Sequence, residues 1–382
     1  MNQAQITGNR AKIASLLCLF VVVSILVAGL WPFHAPRNAV TWLHGQNGLR
    51  FSRRGTAVSA RAFQADSPGN DTGCSLEILL KPERIAAGGT ILAFDSSADP
   101  RNPFMLQQFR AGIRVQRYLT DDRGDVTLPK FKIDHLFDSG KQILLTITSN
   151  TDGATFYADG ILVGISKSAI ASREMSGTLV LGNSTLDDTW RGQISGLAIY
   201  RGALTPEQVR KHFQSWTSVG APSLTGDLPA TALYLFDERA GDTVHNRMST
   251  DTDLTIPAKY FVLHQAFLRS TWAQYANTWE IWTFLSFWED IALNVFGFMP
   301  VGFVFFAYFS SVKPIARPAL VTILLGLFLS FTVEALQSLL PTRDSGMTDL
   351  FTNTAGTALG VLLYQSGWLR RRTSRPLCRN IF

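Results

Sequence analysis

Gly153-Ala154-Thr155-Phe156-Tyr157-Ala158-Asp159-Gly160-Ile161-Leu162-Val163-Gly164 is a pair of short apolar runs joined by Asp-Gly. Asp-Gly readily adopts the left-handed conformations of a tight hairpin, so the stretch predicts two antiparallel strands. On either side, apolar alternations recur at Ser75–Leu80, Thr90–Phe94, Phe104–Phe109, Ile113–Leu119, Gln142–Thr148, Thr178–Leu181 and Ile194–Tyr200. Gly, Asp, Asn and Ser punctuate the joins, which predicts an all-β sandwich over residues 48–216. Its last element is a helix opening at Thr205-Pro206-Glu207-Gln208. Thr205 is expected to cap it, Pro206 to occupy its first turn and Gln208 to complete a capping box, with the helix closing one end of the sandwich.

Downstream the text is mixed. Ala232–Asp237 and Leu254–Ile256 are strand-like, and two readings stay open for them: outlying strands of the sandwich, or a stalk. Ala266–Asp290 carries Trp272, Tyr275, Trp279, Trp282 and Trp288, which fits an interfacial segment or packing against the sandwich. Residues 217–281 are therefore read as an external connector and interfacial segment.

Four stretches have the length and apolarity of membrane spans. Ile13–Phe33 lacks any charged residue and is read as an uncleaved signal anchor; Ile291–Phe309, Ala319–Leu340 and Asp349–Leu369 follow. Phe is plentiful, with 26 copies in 382 residues, and long apolar runs explain that better than one soluble core. The formal charge of +6 sits at the ends of these runs: Arg10 and Lys12, then Lys313 and Arg317, then Arg370, Arg371, Arg372, Arg375 and Arg379. With four spans all three groups fall on one side, the cytoplasmic one. The predicted protein is thus multi-domain, with a four-span α-helical membrane part and an extracytoplasmic sandwich. Residues 1–12 and 370–382 form cytoplasmic tails, and 282–369 form the membrane bundle. The place is the bacterial cytoplasmic (inner) membrane, multi-pass, with both termini cytoplasmic and the large domain on the outer face. Basic residues that flank spans without interleaved stacking aromatics argue against nucleic-acid binding.

The closing spans carry polar groups that lipid penalises unless they meet: Asp290 with Asn294, Glu334 with Gln337, and Asp349 with Asn353. Spacings of three or four put each pair on one helical face. Alternating spans place all three at similar depth, which predicts a small polar basin opening outward, with Arg343 and Asp344 in its loop. A polar clasp that only fastens the helices is the structural alternative. Gly356 and Gly360 form a small-x-x-x-small face suited to close helix approach, and Gly297, Pro300 and Gly302 can bend the second span.

Other chemistry is thinner. Cys18, Cys74 and Cys378 fall in different compartments, so no intramolecular disulfide follows. Asp95, Asp121, Asp122 and Asp125 can offer oxygens to calcium but form no recognisable loop, and solvated turns are the competing reading. No other cofactor is implied. Tyr118, Tyr157 and Trp190 can stack on a sugar or fill the space between sheets.

The hairpin quoted above, with Leu179-Val180-Leu181-Gly182, Trp190–Tyr200 and the capped helix, resembles the laminin G-like, concanavalin A-like lectin family over about residues 48–216. That resemblance implies a fold that often binds glycans or proteins, sometimes with calcium. Asn294–Gly302, then Glu334 and Gln337 followed by Arg343, then Asp349 with Asn353–Gly360, resemble the VanZ-like family over about residues 282–369. The likeness implies a small multi-spanning envelope protein, and the founding member is associated with resistance to glycopeptide antibiotics, especially teicoplanin. The matching polar positions are Asn294, Glu334, Gln337, Arg343, Asp349 and Asn353. The large external domain departs from the minimal pattern.

The leading expectation is a non-catalytic cell-envelope membrane protein. Its external domain recognises a glycan or protein, and its bundle engages an envelope lipid or membrane protein. One alternative is a membrane enzyme acting on a lipid-linked or peptidoglycan-related head group, with Glu334 as base, Arg343 as anion clamp and Asp349, Asn353 and Gln337 as orienting groups. The other is a purely structural scaffold of an envelope complex.

Overall fold

The computed structural model describes residues 3–64, 73–95, 104–116, 119–120, 126–127, 130–184, 189–218, 230–263, 267–268, 285–343 and 345–367. It divides into two compact units, Pro36–His264 and the pair Met1–Ala35 with Gln265–Phe382.

The first unit is a two-sheet β-structure. Its strands are β1 (Val40–Trp42), β2 (Leu49–Phe51), β3 (Ala57–Ser59), β4 (Cys74–Pro82), β5 (Ala87–Asp95), β6 (Phe104–Arg110), β7 (Gly112–Gln116), β8 (Leu119–Thr120), β9 (Val126–Thr127), β10 (Lys130–Ile133), β11 (Ile143–Asn150), β12 (Gly153–Ala158), β13 (Ile161–Ser166), β14 (Thr178–Leu181), β15 (Gly192–Arg201), β16 (Ala230–Tyr234), β17 (Thr243–Val244) and β18 (Leu254–Thr255). One sheet runs β1-β2-β15-β4-β11-β12-β13, with β16 also paired to β15; the other runs β10-β7-β6-β5-β14-β3-β18-β17, and β8 and β9 pair with each other as a separate ribbon. All named pairings are antiparallel. The sandwich therefore extends past residues 48–216 on both sides. Ala232–Asp237 and Leu254–Ile256 contribute outlying strands, because β16 adds to β15 and β18 adds to β3.

Alternation along β4 explains its place. Leu76, Ile78 and Leu80 turn to the core, while Ser75 and Glu77 turn to the opposite face. Leu145, Ile147, Phe156, Leu197 and Ile199 join that core from the same sheet, facing Leu92, Phe94, Phe104 and Leu106. Each such side chain contributes about 1.5–3 kcal/mol on burial. At the hairpin, Asp159 and Gly160 take φ of 53° and 77°, the left-handed pair of a primed turn. Asp159 also accepts the Leu144 N–H at 2.8 Å, tying the turn to β11.

Helix α2 follows α1 (Gln3–Leu30) and spans Pro206–Thr217. Thr205 Oγ1 accepts the Gln208 N–H at 3.3 Å and Gln208 Oε1 accepts the Thr205 N–H at 2.8 Å, the reciprocal box that the sequence predicts. It does not close an end of the sandwich. Val209, Phe213 and Trp216 repeat at helical spacing and pack with Leu144, Tyr157, Ala198 and Tyr200 on the outer face of the first sheet.

The second unit is helical. With α1 it contains α3 (Leu285–Ala307, continued by a π turn over Tyr308–Val312), α4 (Pro318–Gln337) and α5 (Met347–Gln365). Three stretches among the described residues are long and apolar enough to cross a membrane: Ala11–Leu30, Trp288–Val312 and Pro318–Gln337. The expected fourth span forms a helix, α5, but falls outside that set. Thr348, Asp349, Thr352, Asn353, Thr354 and Thr357 make its first half polar. Helices α3 and α5 meet through glycine: a Cβ on Gly356 would strike the Val295 carbonyl and one on Gly360 the Met299 carbonyl. Absent side chains let the two backbones touch. Of the expected interfacial aromatics, Trp272, Tyr275, Trp279 and Trp282 lie outside the described residues, and Trp288 is exposed.

Candidate functional site

The helical unit bonds its polar residues across helices. Asn294 of α3 donates to Asp349 Oδ1 of α5 at 2.9 Å. Asn353 of α5 donates to Ser330 Oγ of α4 at 3.0 Å. Glu334 of α4, only 1% exposed, accepts the Gly346 N–H at 2.8 Å, and Ser345 also hydrogen-bonds its carboxylate. Gly346 is the N-cap of α5 and has no side chain to offer, so the preceding helix supplies the acceptor oxygen that a free N–H at this end needs.

The remaining two groups reach α1. Gln337 donates its amide to the Gly29 carbonyl at 2.9 Å, and Arg343 donates Nε to the Trp31 carbonyl at 3.1 Å with a second bond from its terminal nitrogen. These carbonyls lie at the C-terminal end of α1, where intrahelical donors have run out. Cationic donors suit that end.

Of the polar faces expected to meet, those carrying Asn294 and Asp349 do so. Asn294 pairs with Asp349 and not with Asp290, which is exposed near the start of α3. Asp344 lies outside the described residues. Ser330, Ser345 and the Gly29 and Trp31 carbonyls are partners that sequence reasoning missed. A serine within an apolar run was the available signal for Ser330; backbone carbonyls leave none.

Of the three sandwich aromatics that can either stack on a sugar or pack, the two described ones pack. Trp190 is fully buried and donates Nε1 to Gln108 Oε1 at 2.7 Å, Tyr157 packs under α2, and Tyr118 lies outside the described residues. Asp95 ends β5 at 2% exposure, whereas Asp121, Asp122 and Asp125 lie outside the described residues. Among the described residues no group of three or more His, Cys, Asp or Glu is placed to hold a metal.

Two other features stand out. The first is a buried polar knot: Glu77 accepts from Tyr200 OH and Trp216 Nε1, each at 2.9 Å, and lies 3.0 Å from His212 Nδ1. Burial, with the Glu77 charge beside it, pushes the Tyr200 hydroxyl well above its ordinary pKa. This knot pins α2 to the sheet. The second is an open cleft of about 470 Å³ at the end of the sandwich where β4 and β16 begin and β15 ends. Arg61, Arg201, Asp251, Ser172, Thr231 and Met248 are among its walls. Arg61 and Asp251, two of its lining residues, pair at 3.2 Å and are both largely exposed.

Comparison with known proteins finds a family-model match in each of two regions. Residues 45–210 match the family model described as the concanavalin A-like lectin/glucanases superfamily, and residues 233–370 match VanZ/LLP1. The chain thus joins a concanavalin A-like sandwich to a VanZ-like region. The second match begins at residue 233, ahead of the expected 282 and within β16. No curated protein matches. Among solved structures, the receptor binding domain of botulinum neurotoxin D is 16% identical, over 48% of this chain and 47% of that one, with a TM-score of 0.35. Domain 4 of AbnA, an extracellular arabinanase from Geobacillus stearothermophilus in complex with arabinotriose, is 20% identical over 45% and 74%, with a TM-score of 0.31. The Ruminococcus gnavus IT-sialidase CBM40 bound to sialyllactose is 15% identical over 43% and 95%, with a TM-score of 0.32. The chain spans about half the length of the first solved structures it matches.

Proposed function

We propose that this chain is a cell-envelope membrane protein whose sandwich binds a glycan. The carrying observation is the cleft at Arg201, which sets guanidinium, carboxylate and hydroxyl groups beside the apolar Met248. A saccharide presents hydroxyls at its edge and C–H groups on its faces, and a site that orients it needs this mixture of polar and apolar wall. The concanavalin A-like family match supports the same ligand class. In this reading the protein has four spans in the bacterial cytoplasmic membrane, both termini cytoplasmic and the sandwich outside, as the basic residues at the span ends favour.

The helical unit then serves as anchor and scaffold. Asn294 with Asp349, Asn353 with Ser330, and Gln337 with Gly29 bond different helices to one another, which supports a clasp over a head-group enzyme. Engagement of an envelope lipid or membrane protein by its outer faces belongs to the same proposal.

The test is calorimetric titration of the full-length protein in nanodiscs with a panel of neutral oligosaccharides. Binding that weakens in Arg201→Ala supports the reading; absence of saccharide binding, or binding indifferent to Arg201→Ala and Arg61→Ala, sinks it. Reporter fusions after residue 33 and at the C-terminus test the orientation.

A further inference from the structure

The face of the second sheet that points away from the core carries a row of residues paired across four strands, ending beside a bulge in β5. Lys132 of β10 stands opposite Arg114 of β7, Arg114 opposite Gln107 of β6, and Gln107 opposite Thr90 of β5. Arg114 donates Nε to Gln107 Oε1 at 3.2 Å, and Gln107 donates Nε2 to Thr90 Oγ1 at 3.1 Å. Thr90 and Gln107 are buried, at 0% and 5% exposure, so the chain of bonds holds the guanidinium on a fixed base. Beside the row, Arg114, Lys132 and Arg110 lie 4.8, 5.0 and 5.6 Å from the centre of the Phe109 ring.

This convergence works against stability of the sandwich. Like charges directly opposite on neighbouring strands repel, and cation–π attraction of about 0.5–1 kcal/mol at exposed sites offsets only part of that. Among the described residues, one of the three cations has a carboxylate partner. Lys132 meets Asp134 at 2.7 Å, while Arg110 and Arg114 meet no carboxylate among the described residues. With Nε engaged by Gln107, the two terminal nitrogens of Arg114 are the pair left to grip a planar anion.

We infer that the Phe109, Arg110, Arg114 and Lys132 face is a second binding site, distinct from the Arg201 cleft, that takes the carboxylate of an acidic saccharide. The saccharide class rests on the glycan-binding reading above; the carboxylate rests on the geometry of this face. Arg114 clamps the carboxylate, Arg110 and Lys132 flank it, and Asp134 competes for Lys132 until the ligand arrives.

The probes are oligogalacturonate, its fully methyl-esterified form and polyglutamate, titrated into the full-length protein in zwitterionic nanodiscs. The expected result is binding of oligogalacturonate at least about tenfold tighter than of the neutral ester. That preference is lost in Arg114→Gln with unchanged far-ultraviolet dichroism, strengthened severalfold in Asp134→Asn, and retained in Arg201→Ala. Equal binding of acid and ester overturns the acidic-saccharide site and leaves the glycan reading standing. Absence of binding to either saccharide overturns the acidic-saccharide site, and the glycan reading falls with it only if the neutral panel also fails to bind. Polyglutamate bound as tightly as oligogalacturonate overturns the saccharide assignment, because charge alone then suffices. An acid preference that persists in Arg114→Gln also overturns the proposal.

Discussion

Gln337, on the last turn of the third membrane-length helix, donates its side-chain amide to the carbonyl of Gly29 at 2.9 Å, which ties two helices remote in sequence. The bond matters because a carbonyl at the end of α1 has lost its intrahelical donor. In a lipid surround no water replaces it.

Substitution at this position therefore has a sign that depends on chemistry and not on size. Gln337→Leu removes the donor and is expected to cost about 0.6–1.7 kcal/mol, the range for interhelical hydrogen bonds. Gln337→Glu is expected to cost more, because an ionised carboxylate sets acceptor against acceptor. Thermal unfolding in detergent checks the order: wild type above Leu, Leu above Glu. A Glu variant as stable as wild type would remove Gln337 from the clasp.

The glycines between α3 and α5 give a contrast within one helix pair. Gly356 and Gly360 face backbone carbonyls of α3 that a Cβ would overlap, whereas a Cβ at Gly297 meets nothing within 4 Å. Gly356→Ala and Gly360→Ala are expected to lower stability by about 1–3 kcal/mol through overpacking. Gly297→Ala is expected to be neutral or stabilising by up to about 1 kcal/mol, since alanine is the better helix former. The same thermal unfolding measurement separates the three.

Much of this architecture was legible because it is periodic. The turn at Asp159-Gly160, the strand Thr178–Leu181 and the box at Thr205 and Gln208 each announce themselves in local sequence, and each forms where expected. The short strands Leu49–Phe51 and Ala57–Ser59 do not, since three residues are too few to display a period. In the bundle, residue types were legible and partners were not. Spacing puts Asp290 and Asn294 on one helical face, but which neighbouring helix passes that face is a tertiary fact, and it brings Asp349 to Asn294. Nothing local to Glu77 reveals its role, which depends on Tyr200, His212 and Trp216, more than a hundred residues away.

That knot yields a test of how α2 is held. Glu77→Leu leaves the Tyr200, Trp216 and His212 groups without their common acceptor, and breaking a buried charged network of this kind costs about 3–5 kcal/mol. Hydrogen exchange over Pro206–Thr217 is expected to accelerate sharply in this variant. It is expected to stay near wild type in Glu83→Leu, on the loop after β4. Equal protection in Glu77→Leu would mean that the apolar contacts of Val209 and Trp216 suffice.

Buried tyrosines set the alkaline limit of the sandwich. Tyr200 and Tyr234 both have pKa values pushed far above the ordinary range, Tyr200 by burial and then the Glu77 charge, Tyr234 chiefly by burial. In the unfolded chain they ionise near pH 10, so above that pH the unfolded state has lost protons that the folded state keeps. The stabilising contribution is whole below about pH 10 and falls as pH rises, by up to about 1.4 kcal/mol per pH unit for each tyrosine. Urea midpoints measured from pH 8 to 11 are expected to drop above about pH 10. Tyr234→Phe, which removes one such group and leaves the Glu77 knot intact, is expected to make the decline shallower while lowering the midpoint at neutral pH through the lost bond to the Thr252 carbonyl. An unchanged slope in Tyr234→Phe would show that this hydroxyl already reaches solvent in the folded state.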